Sequence, residues 1–183
     1  RVLLALGGKS PQIVFDDADL ARAAPFILKA ITQNAGQTCS AGSRLLVQRS
    51  IHDKFVAMVT ERFAASMAGS PAMDKDCGPL INAAQKARVE GFIQRALASG
   101  VKLLAKGSIA PGVPAGGYYV APHLFDEVPR DHELACDEVF GPVLSIIPFD
   151  DEDDAIRLAN ATDYGLIAGV WTRDGGRQIR VAK

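Results

Sequence analysis

The sequence predicts an α/β fold: an open, largely parallel twisted sheet with helices on both faces. Strand patterns and helix patterns alternate along most of the 183 residues, as in proteins where helices connect parallel strands. Two apolar segments, residues 44–48 and 143–149, read as buried core strands. A chain of this length is one domain and buries roughly 70% of the surface that its unfolded form exposes.

The first third of the chain is predicted to alternate strands and helices. A helix should begin at the N-cap Asp19, because apolar residues then recur every three or four positions up to Ile31. Ser50 is the predicted N-cap of a second helix. The predicted strands are residues 2–6, 12–15 and 44–48, with a tight turn at Gly7-Gly8.

The remainder continues the alternation. A long amphipathic helix is predicted over residues 82–99, where Gly100 ends it, and the Gly- and Pro-rich residues 109–117 read as a surface loop. The other predicted elements are strand 101–105, extended chain 118–128, a helical turn at 131–135, strand 143–149, helix 151–161, strand 166–171 and a helix from Asp174.

Composition excludes several classes of function. A net charge of −1 gives no electrostatic basis for binding nucleic acid or an anionic membrane. No apolar run approaches the roughly 20 residues that span a bilayer. The three cysteines (Cys39, Cys77, Cys136) show no paired or metal-ligand spacing, so we expect free thiols, no metal site and a reducing, cytoplasmic location.

Cys39 is the predicted centre of the chemistry. Small residues surround it (Gly36, Ser40, Ala41 and Gly42), which leaves room for a substrate and frees backbone N–H groups. A thiol is nucleophilic as the thiolate, which a base, a cation or a helix N-terminus stabilises. The sequence predicts a helix start at Ser40 that would supply the last of these.

Three segments resemble the signatures of the aldehyde dehydrogenase superfamily. Gly36-Gln37-Thr38-Cys39 is similar to the segment that carries the catalytic cysteine. Leu6-Gly7-Gly8-Lys9-Ser10-Pro11 and Glu138-Val139-Phe140-Gly141-Pro142 are similar to two further motifs, in the family's order. The resemblance runs over all 183 residues. It implies that residues 1–183 are the catalytic domain of a longer protein, whose NAD(P)-binding domain and oligomerisation segment lie outside this chain.

The resemblance also implies roles for individual residues. Cys39 would be the nucleophile and its own backbone N–H an oxyanion donor. Glu138 would accept from the ribose hydroxyls of NAD or NADP, Phe140 would pack beside the cofactor, and Leu6 and Gly7 would pass close to the nicotinamide. No G-x-G-x-x-G segment follows a strand here, so most of the cofactor should bind outside this chain. A small aldehyde substrate and a homodimer or homotetramer are likewise implied.

One position departs from the family pattern. The glutamate that serves the family as general base aligns with Ala5, and residues 1–15 contain no acid. Loss of a positioned base removes about 100- to 10,000-fold from its step, so thioester hydrolysis should be slow. Glu138 could replace the base, coenzyme A could accept the acyl group, or turnover could be crippled.

Two other classes of function compete with aldehyde oxidation. In a non-redox thiol acyltransferase or esterase, Cys39 would form acyl-enzymes without a nicotinamide, but Glu138 and Phe140 would then have no ribose to hold. In an inactive homologue, the chain would serve assembly or binding. The intact Cys39 segment argues against that role and Ala5 argues for it.

Overall fold

The computed structural model describes residues 1–183. Its helices are α1 (Leu20–Thr32), α2 (His52–Ala65), α3 (Ala83–Ala98), α4 (Glu133–Cys136), α5 (Glu152–Ala159) and α6 (Gly175–Val181). Its strands are β1 (Pro11–Val14), β2 (Arg44–Gln48), β3 (Met67–Ala68), β4 (Lys102–Lys106), β5 (Ser108–Ile109), β6 (His123–Asp126), β7 (Val143–Phe149) and β8 (Gly169–Trp171).

Six strands form one sheet in the order β4-β6-β7-β2-β1-β8. Every neighbouring pair is parallel except β4 and β6, which are antiparallel at one edge. β3 and β5 form a separate parallel pair of two residues each. The predicted α/β class with a largely parallel sheet is confirmed.

Hydrophobic clusters cover both faces of the sheet. In β2, Leu45 and Val47 face one cluster and Leu46 faces the other, as the two-residue period of a strand requires. The first cluster contains side chains of α1 and α2, and the second contains those of α3, α4 and α5. Helices therefore lie on both faces, and burial of these strands explains their continuous apolar sequence.

The helix starts follow the sequence closely. The Asp19 carboxylate accepts from Arg22 N at 3.2 Å, and the Asn82 side chain accepts from Gln85 N at 2.8 Å. Asp151 and Asp174 cap α5 and α6 in the same way. Each cap satisfies an N–H that the first helical turn leaves free. None of the helices combines the length and apolar composition needed to cross a bilayer.

The predicted strand at residues 2–6 and the predicted cap at Ser50 are wrong, and the predicted strand 166–171 is shorter in the structure. Residues 2–6 form no strand and are exposed, because they hydrogen-bond to no strand of the sheet, which β1 enters only at Pro11. Ser50 caps no helix, since a 3₁₀ turn at Arg49–Ile51 moves the start of α2 to His52. Of the extended stretches 118–128 and 166–171, only β6 and β8 find a neighbouring strand.

Candidate active site

Cys39 lies exposed on the loop between α1 and β2. Three consecutive residues of this loop, Asn34, Ala35 and Gly36, have left-handed backbone angles, with φ of 49°, 57° and 72°. Glycine adopts this region freely and asparagine tolerates it, whereas alanine pays about 1 kcal/mol. The left-handed stretch turns the chain sharply from the end of α1 towards the sheet.

Hydrogen bonds within the loop hold this turn. Asn34 Nδ2 donates to Gln37 O at 2.9 Å, and Gln37 Nε2 donates back to Asn34 O at 3.0 Å. Gln37 Oε1 also accepts from Ile81 N at 2.9 Å, just ahead of α3. The Cys39 N–H donates no hydrogen bond within the protein, so it is free to bind an oxyanion.

The predicted helix start at Ser40 is wrong. Residues 39–40 form a turn, residues 41–43 are irregular, and Arg44 already begins β2. A helix cannot form there because only four residues separate the cysteine from β2, which begins at Arg44. No helix N-terminus therefore lies directly after the thiol.

Gly8 contacts both Cys39 and the motif that contains Glu138. Its N–H donates to Glu138 Oε1 at 2.9 Å, and a Cβ built on it would collide with the carbonyl oxygen of Cys39. A Cβ on Gly7 would lie 2.9 Å from both Glu138 Oε2 and Tyr164 Cε1. The Gly7-Gly8 pair thus lets the backbone pass between Cys39 and the Glu138 carboxylate.

The cysteine loop also contacts the segment that carries Phe140. A Cβ on Gly36 would collide with the carbonyl of Gly141, and Phe140 itself has a left-handed φ of 58°. Glu138 and Phe140 are both partly exposed. The structure therefore brings four predicted site residues into one region: Cys39, Gly7, Glu138 and Phe140.

Ala5 and Leu6 are not drawn into this arrangement. Both are exposed, and residues 1–6 form no hydrogen bond with the rest of the chain. Leu6 is 60% exposed. Gly8 is the first residue of this segment that forms a hydrogen bond with the rest of the chain, through its N–H to Glu138 Oε1.

Lys9 and Arg44 lie buried behind Gly8. Arg44 Nε donates to Lys9 O at 2.7 Å, and its terminal nitrogens donate to the carbonyls of Leu158 and Ala159 at 2.8 and 2.7 Å. These bonds anchor the Gly-Gly segment to the end of α5. Burial lowers the pKa of Lys9 to about 7, with Arg44 adding to the effect, and Lys9 Nζ has no hydrogen-bond partner.

Sequence reasoning missed the supporting residues on α3. Gln85 and Arg88 donate to the backbone of residues 138–140, and no motif marks them. They lie 50 to 55 positions before those carbonyls, so only the tertiary fold reveals the contact. No group of three or more His, Cys, Asp or Glu side chains could hold a metal ion.

Comparison with known proteins decides the family. The model for the aldehyde dehydrogenase family matches residues 1–183. The chain belongs to the aldehyde dehydrogenase family. The recognition drawn from the three motifs is therefore confirmed.

Solved structures of this family superpose closely on the chain. A putative aldehyde dehydrogenase from Burkholderia cenocepacia is 52% identical, with a TM-score of 0.95 over 97% of this chain and 37% of its own. Lactaldehyde dehydrogenase from Escherichia coli is 38% identical, with a TM-score of 0.89 over 97% and 37%. Betaine aldehyde dehydrogenase from Staphylococcus aureus, solved with NAD⁺, is 35% identical, with a TM-score of 0.86 over 97% and 35%. The chain thus spans a little over a third of the length of the family members that it matches.

Proposed function

We propose that the complete protein carrying this chain catalyses NAD(P)-dependent oxidation of an aldehyde to a carboxylic acid. The reaction would pass through a Cys39 thiohemiacetal and thioester, with slow deacylation because Ala5 replaces the usual base. One observation carries the proposal. Gly8 lies against the Cys39 carbonyl and donates its N–H to the Glu138 carboxylate, which supports a site that combines the cysteine with a candidate ribose ligand.

In the first stage the Cys39 thiolate adds to the aldehyde carbon and the carbonyl oxygen becomes an oxyanion. The Cys39 N–H, which has no partner within the protein, is oriented by the loop and available to donate to that oxygen. Such donors stabilise developing charge because they are fixed before the reaction begins. The exposed position of the thiol is consistent with access for a small aldehyde.

The site suits a nicotinamide nucleotide, which accepts the hydride when bound. Glu138 Oε1 is held by the Gly8 N–H, whereas Oε2 accepts no hydrogen bond within the protein. A carboxylate held in this way is well placed to accept from ribose hydroxyls, a recurrent solution in nucleotide binding. Gly7 would let the backbone approach the cofactor, and Phe140 would pack beside it.

The second stage requires a water and a base. A glutamate at position 5 would accept the proton of the water that attacks the thioester, and alanine accepts none. Deacylation should therefore be slower by about 100- to 10,000-fold than with the base. Coenzyme A is an alternative acceptor, because its thiol can take the acyl group by exchange without this carboxylate, and Glu138 is the alternative base.

Most of the cofactor affinity should come from outside residues 1–183, since this chain has no glycine-rich phosphate loop. We expect weak or no NAD binding by the isolated chain, which isothermal calorimetry would measure, and no turnover by it. Two similar enzymes were solved with NAD⁺, which supports a nicotinamide cofactor, NAD or NADP, for the complete protein. A homodimer or homotetramer and a cytoplasmic location complete the proposal, the latter supported by three unpaired cysteines.

Stopped-flow fluorescence on the complete enzyme tests the proposal. The enzyme is mixed with NAD and a panel of simple aldehydes while NADH and the intact mass of the protein are followed. We expect a burst near one NADH per site, acyl adducts on Cys39, slow turnover, and acceleration by coenzyme A. Cys39→Ser is the matched control and should show no burst.

Three outcomes would overturn the proposal. NADH formation that survives in Cys39→Ser would remove the cysteine from the chemistry. Acylation of Cys39 by esters without any aldehyde-dependent NADH would favour a non-redox acyltransferase. Absence of both reactions would favour an inactive homologue.

A further inference from the structure

A cavity of about 480 Å³ lies between α3 and the edge of the sheet formed by β4 and β6. One turn of α3 forms one wall, and residues 106–109 and 119–123 form the others. None of the lining residues belongs to the three motif segments. A volume of this size is within the range of sites that bind small molecules. This cavity, named the His123 pocket, is therefore separate from the candidate active site.

His123 offers a free ring nitrogen to the pocket. The residue is only 6% exposed, and its Nδ1 lies 2.7 Å from Ala121 O. A carbonyl oxygen only accepts, so Nδ1 carries the proton and the neutral ring has its lone pair on Nε2. Nε2 has no partner within the protein and is not sealed from solvent. It is thus the polar atom that a ligand in the pocket would meet.

Lys106 lies directly opposite His123. The two residues pair in the antiparallel register of β4 and β6, which places their side chains on the same face of the sheet with Cβ atoms about 5 Å apart. The other lysine of the pocket, Lys86, lies 3.7 Å from Glu90, whereas Lys106 pairs with no carboxylate. The uncompensated positive charge of the pocket therefore stands beside Nε2.

The remaining walls of the pocket are largely apolar. Ile93 of α3 and Val120 are both buried, and the Tyr119 ring lies beside them. An apolar ligand without a charge would leave Lys106 and Nε2 without a partner, and a bare inorganic anion would leave the apolar walls uncovered. The pocket thus suits a molecule that joins an anionic group to an apolar body.

We propose that the His123 pocket binds a small carboxylic acid, with the carboxylate between Lys106 and His123 Nε2 and the apolar body against Ile93 and Val120. Two positive groups directly opposite each other on neighbouring strands repel. An anion between them removes that repulsion and accepts a hydrogen bond from each. This site goes beyond the proposed function and does not depend on it.

Binding at this site should take up a proton. Burial lowers the pKa of His123, the bond to Ala121 O opposes that effect, and the charge of Lys106 adds to it, so the ring of the free protein is neutral at pH 7. A bound carboxylate favours the charged ring and raises its pKa. Between these two pKa values the affinity falls as pH rises. The other titratable groups that line the pocket are Lys86, Glu90 and Tyr119, residue types that ordinarily titrate outside pH 6–8.

Three variants of the complete protein test the site. Lys106→Gln removes the charge from an exposed side chain and should leave the fold intact. His123→Asn removes Nε2, while its amide can still donate to Ala121 O. Lys54→Gln is the matched control, because Lys54 is an exposed lysine on α2 that lines none of the pocket. Benzoate is the probe, with benzyl alcohol and inorganic phosphate as comparison ligands.

Isothermal calorimetry at pH 6 and pH 8 measures the affinities. For the parent we expect a benzoate Kd of about 1 mM at pH 6 and about tenfold weaker binding at pH 8. Lys106→Gln should weaken binding about fivefold at both pH values. His123→Asn should bind at both with the affinity that the parent has at pH 8. Lys54→Gln should match the parent, and benzyl alcohol should bind at least tenfold more weakly than benzoate at pH 6.

Three results would overturn the proposal. The first is no benzoate binding up to about 20 mM. The second is an affinity that neither Lys106→Gln nor His123→Asn changes, which would place benzoate elsewhere. The third is phosphate binding as tight as that of benzoate, which would mean that the apolar walls contribute nothing. Should His123→Asn fail to fold, Lys106→Gln and the pH dependence of the parent decide.

Discussion

The loop that carries Cys39 and the loop that carries Glu138 are supported in different ways. The cysteine loop is held mainly by itself, through the reciprocal bonds between Asn34 and Gln37. The Glu138 loop is held by side chains of α3 that are distant in sequence. The two loops touch at Gly36 and Gly141. Substitutions should therefore affect nucleophile and cofactor separately, except at that contact.

The largest effect is expected in the segment of residues 5–8, which contacts both loops through Gly8. Ala5→Glu in the complete enzyme should restore a base and speed thioester hydrolysis by about 100-fold or more. Single-turnover decay of acyl-Cys39, followed by intact mass, measures that step. Ala5→Gln has the same size without a titratable carboxylate and should give no gain. Equal rates for Ala5→Glu and the parent would mean that another group already acts as base.

The contact between the loops should give the next largest effect. Gly36→Ala places a Cβ against the Gly141 carbonyl at a φ of 72°, so both loops must shift. We expect kcat/KM to fall about 100-fold and the free energy of unfolding by roughly 2–4 kcal/mol. Both the alkylation rate of Cys39 and the NAD KM should change. Gly78→Ala, where a Cβ meets open space, should leave all of these unaltered.

Asn34 tests the local support of the cysteine loop. Asn34→Gly removes the hydrogen bond to Gln37 O, but glycine adopts the left-handed backbone without strain. The alkylation rate of Cys39 should therefore fall about threefold. Asn34→Ala adds backbone strain and should lower it about tenfold. Neither should alter the NAD KM by as much as twofold. A parallel rise in that KM would show that the loops share one support.

Much of the fold follows from patterns that lie close together in the sequence. The caps Asp19, Asn82 and Asp174 and the apolar run of β7 each act within a few residues, so their elements were predictable. Residues 2–6 are as apolar as a strand, but strand formation depends on a free neighbouring edge, which a single segment does not encode. The apolar pattern therefore predicted a strand that the fold leaves unpaired.

The candidate site divides in the same way. Cys39, Gly7, Glu138 and Phe140 lie in one region of the structure, and sequence could single them out because each stands in a short continuous signature. The helix expected at Ser40 does not form, because β2 begins at Arg44. Gln85 and Arg88 escape sequence reasoning, since a helix surface residue that donates to a distant carbonyl looks like any solvated polar residue.

Lys9 gives the smallest expected effect on activity and a distinct effect on stability. It lies beside Gly8, and its side chain is buried with Arg44, with Asp137 and Glu138 near enough to act on its charge. Lys9→Met should leave both the alkylation rate and the NAD KM within about twofold of the parent, since no hydrogen bond from Nζ is lost. A larger change in either the alkylation rate or the NAD KM would mean that Lys9 helps to hold the site in shape.

The stability of the parent should depend on pH where that of Lys9→Met does not. Burial lowers the pKa of Lys9 from 10.5 to about 7, so above pH 7 the folded chain releases a proton that the unfolded chain keeps. Stability should therefore rise with pH, by about 2 kcal/mol between pH 7 and pH 8.5. Burial raises the pKa of Cys77 to about 12, which lowers stability only above about pH 9, outside this window. Urea denaturation at the two pH values measures the difference, and a parent curve as flat as that of Lys9→Met would mean that Lys9 keeps its proton when folded.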